Sequence, residues 1–112
     1  MTTHTNKELG QSTPSGTTAV SIYSPASGVE ATIKPIYIVN ISSAVASFSI
    51  YCDSDGTTYD TTTQLFKSVP LAPNETYVMD KPIMMNDSNG NLAVQSSVAS
   101  ALTFTVYGME VS

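Results

Sequence analysis

The sequence has 112 residues, of which 41% are hydrophobic and 12% are charged, and its formal net charge is −5. This length suits one domain of about 100–150 residues, and the low charge predicts a folded chain rather than a disordered one. The four positive charges are lysines spread singly along the chain, with no arginine. Because nucleic acids and anionic membranes are bound by clustered Lys and Arg, both classes of partner are excluded.

The first segment, residues 1–16, is polar, ends in Thr13-Pro14-Ser15-Gly16, and follows neither the helical nor the strand period. It predicts an extended N-terminal arm, and residues 17–112 then form the folded β-sandwich domain. Polar chain ends are ordered only where they are held down. We therefore expect the arm to order against a partner or another copy of the chain.

Beyond the arm, apolar and polar residues alternate with the period of a β-strand. The clearest strand is 44–52, where Phe48 and Ile50 share one face and Tyr51 lies on the other. Residues 29–41 alternate in two phases that change at Pro35, which predicts a long strand with a kink or bulge. Shorter alternating segments complete the set: 20–23, 64–69, 75–79, 92–96 and 101–111.

The candidate helix is a single turn at residues 82–85, since no longer stretch repeats at helical spacing. Strong turn signals occur at Asp53–Gly56 and Asn86–Asn91. Seven or eight short strands separated by such turns predict an all-β fold. We expect an antiparallel β-sandwich of the jelly-roll or immunoglobulin-like type, with a small barrel as the alternative.

The residues that could carry chemistry are few. His4 is the only histidine and falls in the arm, which gives a catalytic base no rigid carboxylate partner. Cys52 alternates in phase with the apolar residues of its strand and is interpreted as a small buried hydrophobe. The Asp- and Asn-rich turns invite a calcium site but lack its ligand spacing, so tight turns explain them better. We therefore predict no enzymatic activity, no metal and no cofactor.

Three of the four candidate functional residues are tyrosines. Tyr23, Tyr51 and Tyr107 fall on the outward phase of their strands, and Leu9 is an apolar residue within the arm. Exposed tyrosines are enriched at protein interfaces, because the ring buries area while the hydroxyl keeps a partner. These residues are predicted to lie at a subunit or arm contact. Cover of a second core face and stacking on sugars are the alternatives.

Five short motifs, in this order, resemble those of small tailed-bacteriophage virion proteins. They are Leu9-Gly10-Gln11, Ile38-Val39-Asn40-Ile41, Asp55-Gly56, Leu71-Ala72-Pro73-Asn74-Glu75-Thr76 and Tyr107-Gly108-Met109-Glu110-Val111. The resemblance spans nearly the whole chain. It implies a structural component of the virion, and some proteins of this kind are capsid decoration or cement proteins whereas others lie at the neck or tail.

The resemblance and the composition together predict a non-enzymatic virion structural protein. The leading hypothesis is a capsid decoration or cement protein, assembled in the bacterial host cytoplasm, that stabilises the head through subunit and arm contacts. Its expected partners are the major capsid protein, or neck and tail proteins, and further copies of itself in a symmetric oligomer such as a trimer. The alternatives are a neck or tail component of the virion and a glycan-binding β-sandwich module.

Overall fold

The computed structural model describes residues 3–53, 58–86 and 90–112, and the regular elements within them are all β-strands. The nine strands in these ranges are β1 (His4–Ser12), β2 (Val20–Tyr23), β3 (Glu30–Asn40), β4 (Ala46–Asp53), β5 (Gln64–Leu71), β6 (Thr76–Met79), β7 (Ile83–Met85), β8 (Asn91–Ser96) and β9 (Leu102–Val111). The prediction of an all-β fold is confirmed. In this part of the chain, no helix has the length and apolar character of a membrane span.

The strands form two antiparallel sheets. Sheet A has the order β1–β9–β3–β6, with β7 also paired to β3, and sheet B has the order β2–β8–β4–β5. The chain passes from one sheet to the other at most of its connections, which is the winding of a jelly roll. The predicted β-sandwich is therefore confirmed, and this strand order selects the jelly roll over the immunoglobulin-like alternative.

The hydrophobic core lies between the two sheets. Burial of a large apolar side chain stabilises the fold by about 1.5–3 kcal/mol, and both sheets supply fully buried side chains. They come from β3 and β9 of sheet A and from β4 and β8 of sheet B: Ile33, Ile36, Ile38, Leu102, Phe104, Val106, Phe48, Ile50, Leu92 and Val94. The face of β4 that its alternation assigns to Phe48 and Ile50 is thus the buried one.

Strand β3 contains the predicted change of phase. Ile33 and Ile36 are both fully buried although they are three positions apart. The pairing of β3 with β9 shifts register between them, so Lys34 and Pro35 are the inserted residues of a bulge. The bulge keeps both isoleucines on the core face, which confirms the irregularity expected at Pro35.

The segment predicted as an arm, residues 1–16, differs from that expectation over residues 4–12. These residues form β1, an edge strand of sheet A that pairs with β9 of the same chain. The ladder continues to Thr3 and Ser112, which exchange backbone hydrogen bonds with N–O distances of 2.8 and 3.0 Å. Side chains 4–8 are exposed, and backbone pairing rather than an apolar face holds this stretch. That is why the strand left no period in the sequence.

Strand β7 replaces the helical turn predicted at residues 82–85. Residues 83–85 pair with the same side of β3 as β6 does. Residues 80–82 separate the two, so this edge of sheet A consists of two short strands. Pro82 has no backbone N–H to donate to a ladder, which accounts for the break. Strands β1 and β7 together raise the number of strands in the described ranges above the predicted seven or eight.

Asn40 is a fully buried polar residue at the end of β3. Its Nδ2 donates hydrogen bonds to the carbonyl oxygens of Ala44 (2.8 Å) and Leu71 (2.9 Å). Its Oδ1 accepts from the amide (2.9 Å) and the hydroxyl (2.7 Å) of Ser42. Its backbone N–H also donates to the Glu75 carbonyl (3.0 Å). One side chain therefore ties the β3–β4 connection to the end of β5.

Two glycines allow strands to approach closely. A Cβ built on Gly108 of β9 would lie 2.8 Å from Leu9 Cδ1 and 3.1 Å from Ile33 Cα, and it would overlap the Thr32 carbonyl oxygen. A Cβ on Gly10 of β1 would overlap a backbone carbonyl of β2. The Thr32 carbonyl belongs to β3, which is paired with β6 and β7 on its other side, so it cannot readily retreat from a side chain at Gly108.

Candidate functional site

The four residues predicted to form an interface fall in different environments. Tyr107 is 40% exposed on the outer face of sheet A. Tyr23 and Tyr51 are buried within the chain, so neither ring is exposed on the surface of the single chain. Leu9 is half-buried and packs against the core, with its Cδ1 next to Gly108. In the described structure, only Tyr107 of the four is an exposed aromatic.

Tyr51 lies on the predicted face of β4, the outer face of sheet B, yet its side chain is only 6% exposed. The ring of Tyr59 covers it, with 6.1 Å between the ring centroids. Its hydroxyl donates a hydrogen bond to Gln95 Oε1 and accepts one from Gln64 Nε2 at 3.2 Å. Alternation thus gave the correct side of the sheet, but a connecting segment covers that side.

Tyr23 joins the two sheets through a charged group. Its hydroxyl donates to Glu110 Oε2 (2.5 Å), and Lys7 Nζ lies 2.8 Å from Glu110 Oε1. The hydrogen bond from Lys7, followed by that from Tyr23, lowers the pKa of Glu110 below its ordinary value. Burial, aided by the neighbouring carboxylate, raises the pKa of Tyr23. Tyr23, which was predicted to lie at a subunit or arm contact, thus links β2 to β9 and, through Glu110, to β1 within one chain.

Replacement of Glu110 tests this contact. Glu110→Gln is expected to lower the free energy of unfolding near neutral pH by about 1 kcal/mol, since the ion pair is partly exposed. The folded-state pKa of Glu110 lies below its unfolded value of about 4.3, so its contribution is present above that value and is lost as the pH falls through the folded-state pKa. Urea unfolding between about pH 7 and pH 3 should therefore show the difference from wild type shrinking.

The matched control for this prediction is Glu8→Gln, which changes an exposed carboxylate on β1, the edge strand that supplies Lys7. It should unfold at the same urea concentration as wild type across the pH range. A difference between Glu110→Gln and wild type that stays constant down to the acid limit would contradict the assigned pKa direction.

The outer face of sheet A carries a cluster of exposed apolar side chains. Tyr107 packs edge-on against Tyr37, with ring centroids 5.8 Å apart and an interplanar angle of 88°. Val78 of β6 lies opposite Tyr37, and Met84 of β7 lies opposite Thr32, both on the outer side of their strands. Met84 is 76% exposed. Tyr37, Val78, Met84 and Tyr107 are called the apolar stripe below.

Shallow grooves run beside the apolar stripe. One, of about 520 Å³, is lined by Pro35, Tyr37 and Tyr107 together with polar groups of β1 and β9. A second, of about 530 Å³, shares Tyr107 and continues past Lys34. Exposed apolar side chains beside grooves with polar walls are typical of a site where another molecule docks. The outer face of sheet A is therefore the best candidate interaction surface in the described structure.

Sequence reasoning missed three members of the apolar stripe. Tyr37 stands between the buried Ile36 and Ile38, so its outward phase was readable from β3. Val78 lies in a four-residue strand, which is too short for a firm assignment of faces. Met84 was missed because its segment was predicted as a helical turn.

Neither catalysis nor metal binding gains support from the remaining candidates. Among the described residues, no group of three or more His, Cys, Asp and Glu side chains could hold a metal ion. The two turns considered for calcium lie partly outside the described residues. His4 is exposed on β1, and burial with a contribution from Asp53 raises the pKa of the half-buried Cys52. The raised pKa disfavours the reactive thiolate.

The strand order defines a jelly-roll sandwich, and the outer face of sheet A carries the apolar stripe. No protein-family model and no curated protein matches the sequence. The fold is similar to a chain in the structure of infectious bursal disease virus Gx strain, with a TM-score of 0.55 and 11% identity over 99% of this chain and 32% of that chain. A chain of the Gt strain structure gives a TM-score of 0.44 at 12% identity, over 99% and 30%. This protein thus spans about a third of the length of those viral chains.

Proposed function

We propose that this protein is a virion structural protein, a capsid decoration or cement subunit that attaches through the outer face of sheet A. The fold similarity to a chain of a virus, extending over 99% of this protein, supports a structural role in a particle. The resemblance of its motifs to those of small tailed-phage virion proteins supports the proposal that this particle is a bacteriophage. The observation that carries the proposal is the apolar stripe.

The apolar stripe has the composition of an attachment surface. Aromatic residues and Met are enriched at interface cores, and large aromatic anchors dominate the binding energy. Tyr37 and Tyr107 hold each other edge-on, so their rings lose little freedom on binding. The buried face of the same strands already supplies the core, so the exposed rings are not needed to hold the domain together. The partners that fit this proposal are the major capsid protein and further copies of the chain in a symmetric oligomer.

Truncation of the aromatic pair is the direct test. Tyr37→Ser and Tyr107→Ser are each expected to weaken attachment to particles about 30-fold, since truncating an interface anchor costs about 2 kcal/mol or more. Cosedimentation with particles that lack the protein measures the attachment. Circular dichroism and thermal melts of the isolated protein should show an unchanged fold, because both rings stand on the outer side of the sheet.

The matched control is Val45→Ser, which removes an exposed apolar side chain just before β4, away from the apolar stripe. It should attach like wild type. Attachment of both tyrosine variants at wild-type strength would reject the outer face of sheet A as the attachment surface.

A neck or tail position is the second candidate within the virion, and the copy number separates the two. Decoration of a capsid surface requires hundreds of copies per particle, whereas neck and tail rings of closed symmetry hold about six or twelve. Quantitative mass spectrometry of purified virions against a labelled standard counts them. A count of about six or twelve would move the protein to the neck or tail, and its absence from virions would refute the structural role.

A further inference from the structure

The outer face of sheet B carries a cleft whose lining contrasts with the apolar stripe on sheet A. The cleft has a volume of about 370 Å³ and is bounded by β4, β5, the end of β8 and the segment before β5. Hydroxyl and amide side chains dominate its lining, among them Ser47, Ser49, Tyr51, Gln64, Ser68 and Gln95. The two outer faces of the sandwich therefore offer different chemistry.

An irregularity in β5 shapes the cleft. Phe48 of β4 pairs with Val69 and Ile50 pairs with Phe66, so Lys67 and Ser68 are the inserted residues of a bulge. Ser68 has a φ of 49°, in the left-handed region that residues other than glycine rarely adopt. Bulges redirect side chains and are enriched next to binding sites, where such backbone strain also occurs. Here the bulge brings two consecutive residues to the wall of one cleft.

Hydrogen bonds fix the floor of the cleft before any ligand binds. The Tyr51 hydroxyl donates to Gln95 Oε1, and Gln64 Nε2 donates to the Tyr51 hydroxyl. Gln95 Nε2 in turn donates to the Thr17 carbonyl (2.9 Å), which sets the orientation of that amide. On the β5 side, the Ser68 amide donates to Ser49 Oγ (3.0 Å). Side chains held in this way lose little entropy when a ligand binds.

We infer that this cleft binds a single saccharide ring of a glycan. Its volume lies near the lower end of the ~300–1,000 Å³ typical of small-molecule sites, which suits one ring rather than an extended chain. Sugar hydroxyls both donate and accept, as the serine hydroxyls and glutamine amides of the lining do. Lys67 forms no ion pair with the described residues and supplies one further donor. A phosphate ligand would need more than this one cation, because Asp60 also lines the cleft.

The binding test is a titration of the isotopically labelled protein followed by amide chemical shifts in NMR. The probes are galactose, N-acetylglucosamine and N-acetylneuraminic acid, with glycerol as a polyol that lacks the ring. At least one sugar should give saturable shifts at Ser47, Ser49, Gln64 and Gln95, with a dissociation constant of about 1 mM, the affinity of a single small ring. Stronger binding of the acidic sugar would show that Lys67 pairs with its carboxylate, and equal binding that the hydroxyls dominate.

Two variants and a matched control make the site assignment testable. Ser47→Phe fills the cleft and should abolish the shifts. Lys67→Ala removes an exposed side chain and should weaken binding about 10-fold, the loss of one charged hydrogen bond. Lys81→Ala removes an exposed lysine between β6 and β7 and should leave binding unchanged.

The saccharide proposal is overturned if no sugar produces saturable shifts at about 50 mM, far above the expected dissociation constant. It is also overturned if glycerol produces the same shifts, or if the shifts map to the apolar stripe. Unaltered binding by Lys67→Ala together with Ser47→Phe would reject the cleft as the site. None of these outcomes depends on attachment to a particle, so this proposal and the proposed structural role can fail separately.

Discussion

Asn40→Leu is expected to lower the free energy of unfolding by about 2–4 kcal/mol, a large share of the stability of a domain of this size. The substitution removes the Nδ2 donors, so the Leu71 carbonyl loses this partner in a buried setting. It also removes the Oδ1 acceptor of the partly buried Ser42 amide. The exposed Ala44 carbonyl keeps the Ser42 hydroxyl as a donor (2.9 Å). Each orphaned buried group costs about 1–3 kcal/mol. Urea denaturation followed by tyrosine fluorescence measures the change.

Two further substitutions test whether the effect comes from the buried hydrogen bonds of Asn40 rather than from replacing any asparagine by leucine. Asn6→Leu makes the same chemical change at an exposed position of β1, and its effect should stay within about 0.5 kcal/mol. Asn40→Asp keeps the size of the side chain but removes the donors and adds a charge facing two carbonyls. It should be at least as destabilised as Asn40→Leu. Wild-type stability in both Asn40 variants would show that the buried hydrogen bonds contribute nothing.

Gly108→Ala is expected to destabilise the fold by about 3 kcal/mol, at the upper end of the cost of overpacking a core. The added methyl would overlap the Thr32 carbonyl oxygen and lie 2.8 Å from Leu9 Cδ1. The leucine end can move, but the carbonyl belongs to β3, which is paired on both sides at the centre of sheet A. Thermal and urea unfolding should both report the loss.

Gly16→Ala is the control for this prediction, because a Cβ at that position meets nothing within 4 Å. Its stability should equal that of wild type or rise slightly, since alanine restricts the unfolded chain more than glycine does. Equal stability of Gly108→Ala and Gly16→Ala would mean that the strands separate without cost at Gly108.

The parts of the fold that the sequence predicted are those where one strand face enters the core. In β4, Phe48 and Ile50 alternate with polar residues, and this local pattern is sufficient to predict which face of the strand is buried. Strand β1 lacked such a pattern because its pairing with β9 is made by the backbone, which every sequence supplies. Strand β7 is three residues long and follows Pro82, so its pairing with β3 depends on contacts distant in sequence.

The candidate site was predicted only in part, for a different reason. Alternation assigns a side chain to a face of a sheet, and it assigned Tyr51 and Tyr107 correctly to outer faces. It does not reveal what covers that face. Tyr59 covers Tyr51, whereas the outer side of sheet A near Tyr107 stays exposed. Whether a side chain on an outer face is exposed therefore depends on the path of the connecting segments, which the alternation within a strand does not predict.

The motifs that carry the resemblance to phage virion proteins have structural roles within this chain. Asn40 joins two connections, and Gly108 accommodates Leu9 between closely spaced strands. The carboxylate of Glu75 accepts a hydrogen bond from the Ala72 amide at 3.1 Å and shapes the turn between β5 and β6. These residues specify the jelly roll, and the apolar stripe and the polar cleft lie mainly outside them.

The hydrogen bonds between Thr3 and Ser112 bring the two ends of the ladder to one corner of the molecule. A linker of a few residues would join them and turn the chain into a ring without disturbing any strand pair, as is common for domains with adjacent ends. Such a ring could be opened instead at the exposed turn Ser15–Gly16, giving a circular permutant with the same two sheets. The order of the strands along the chain is therefore separable from the order in which they pack. Proteins fused next to Thr3 and next to Ser112 would emerge side by side.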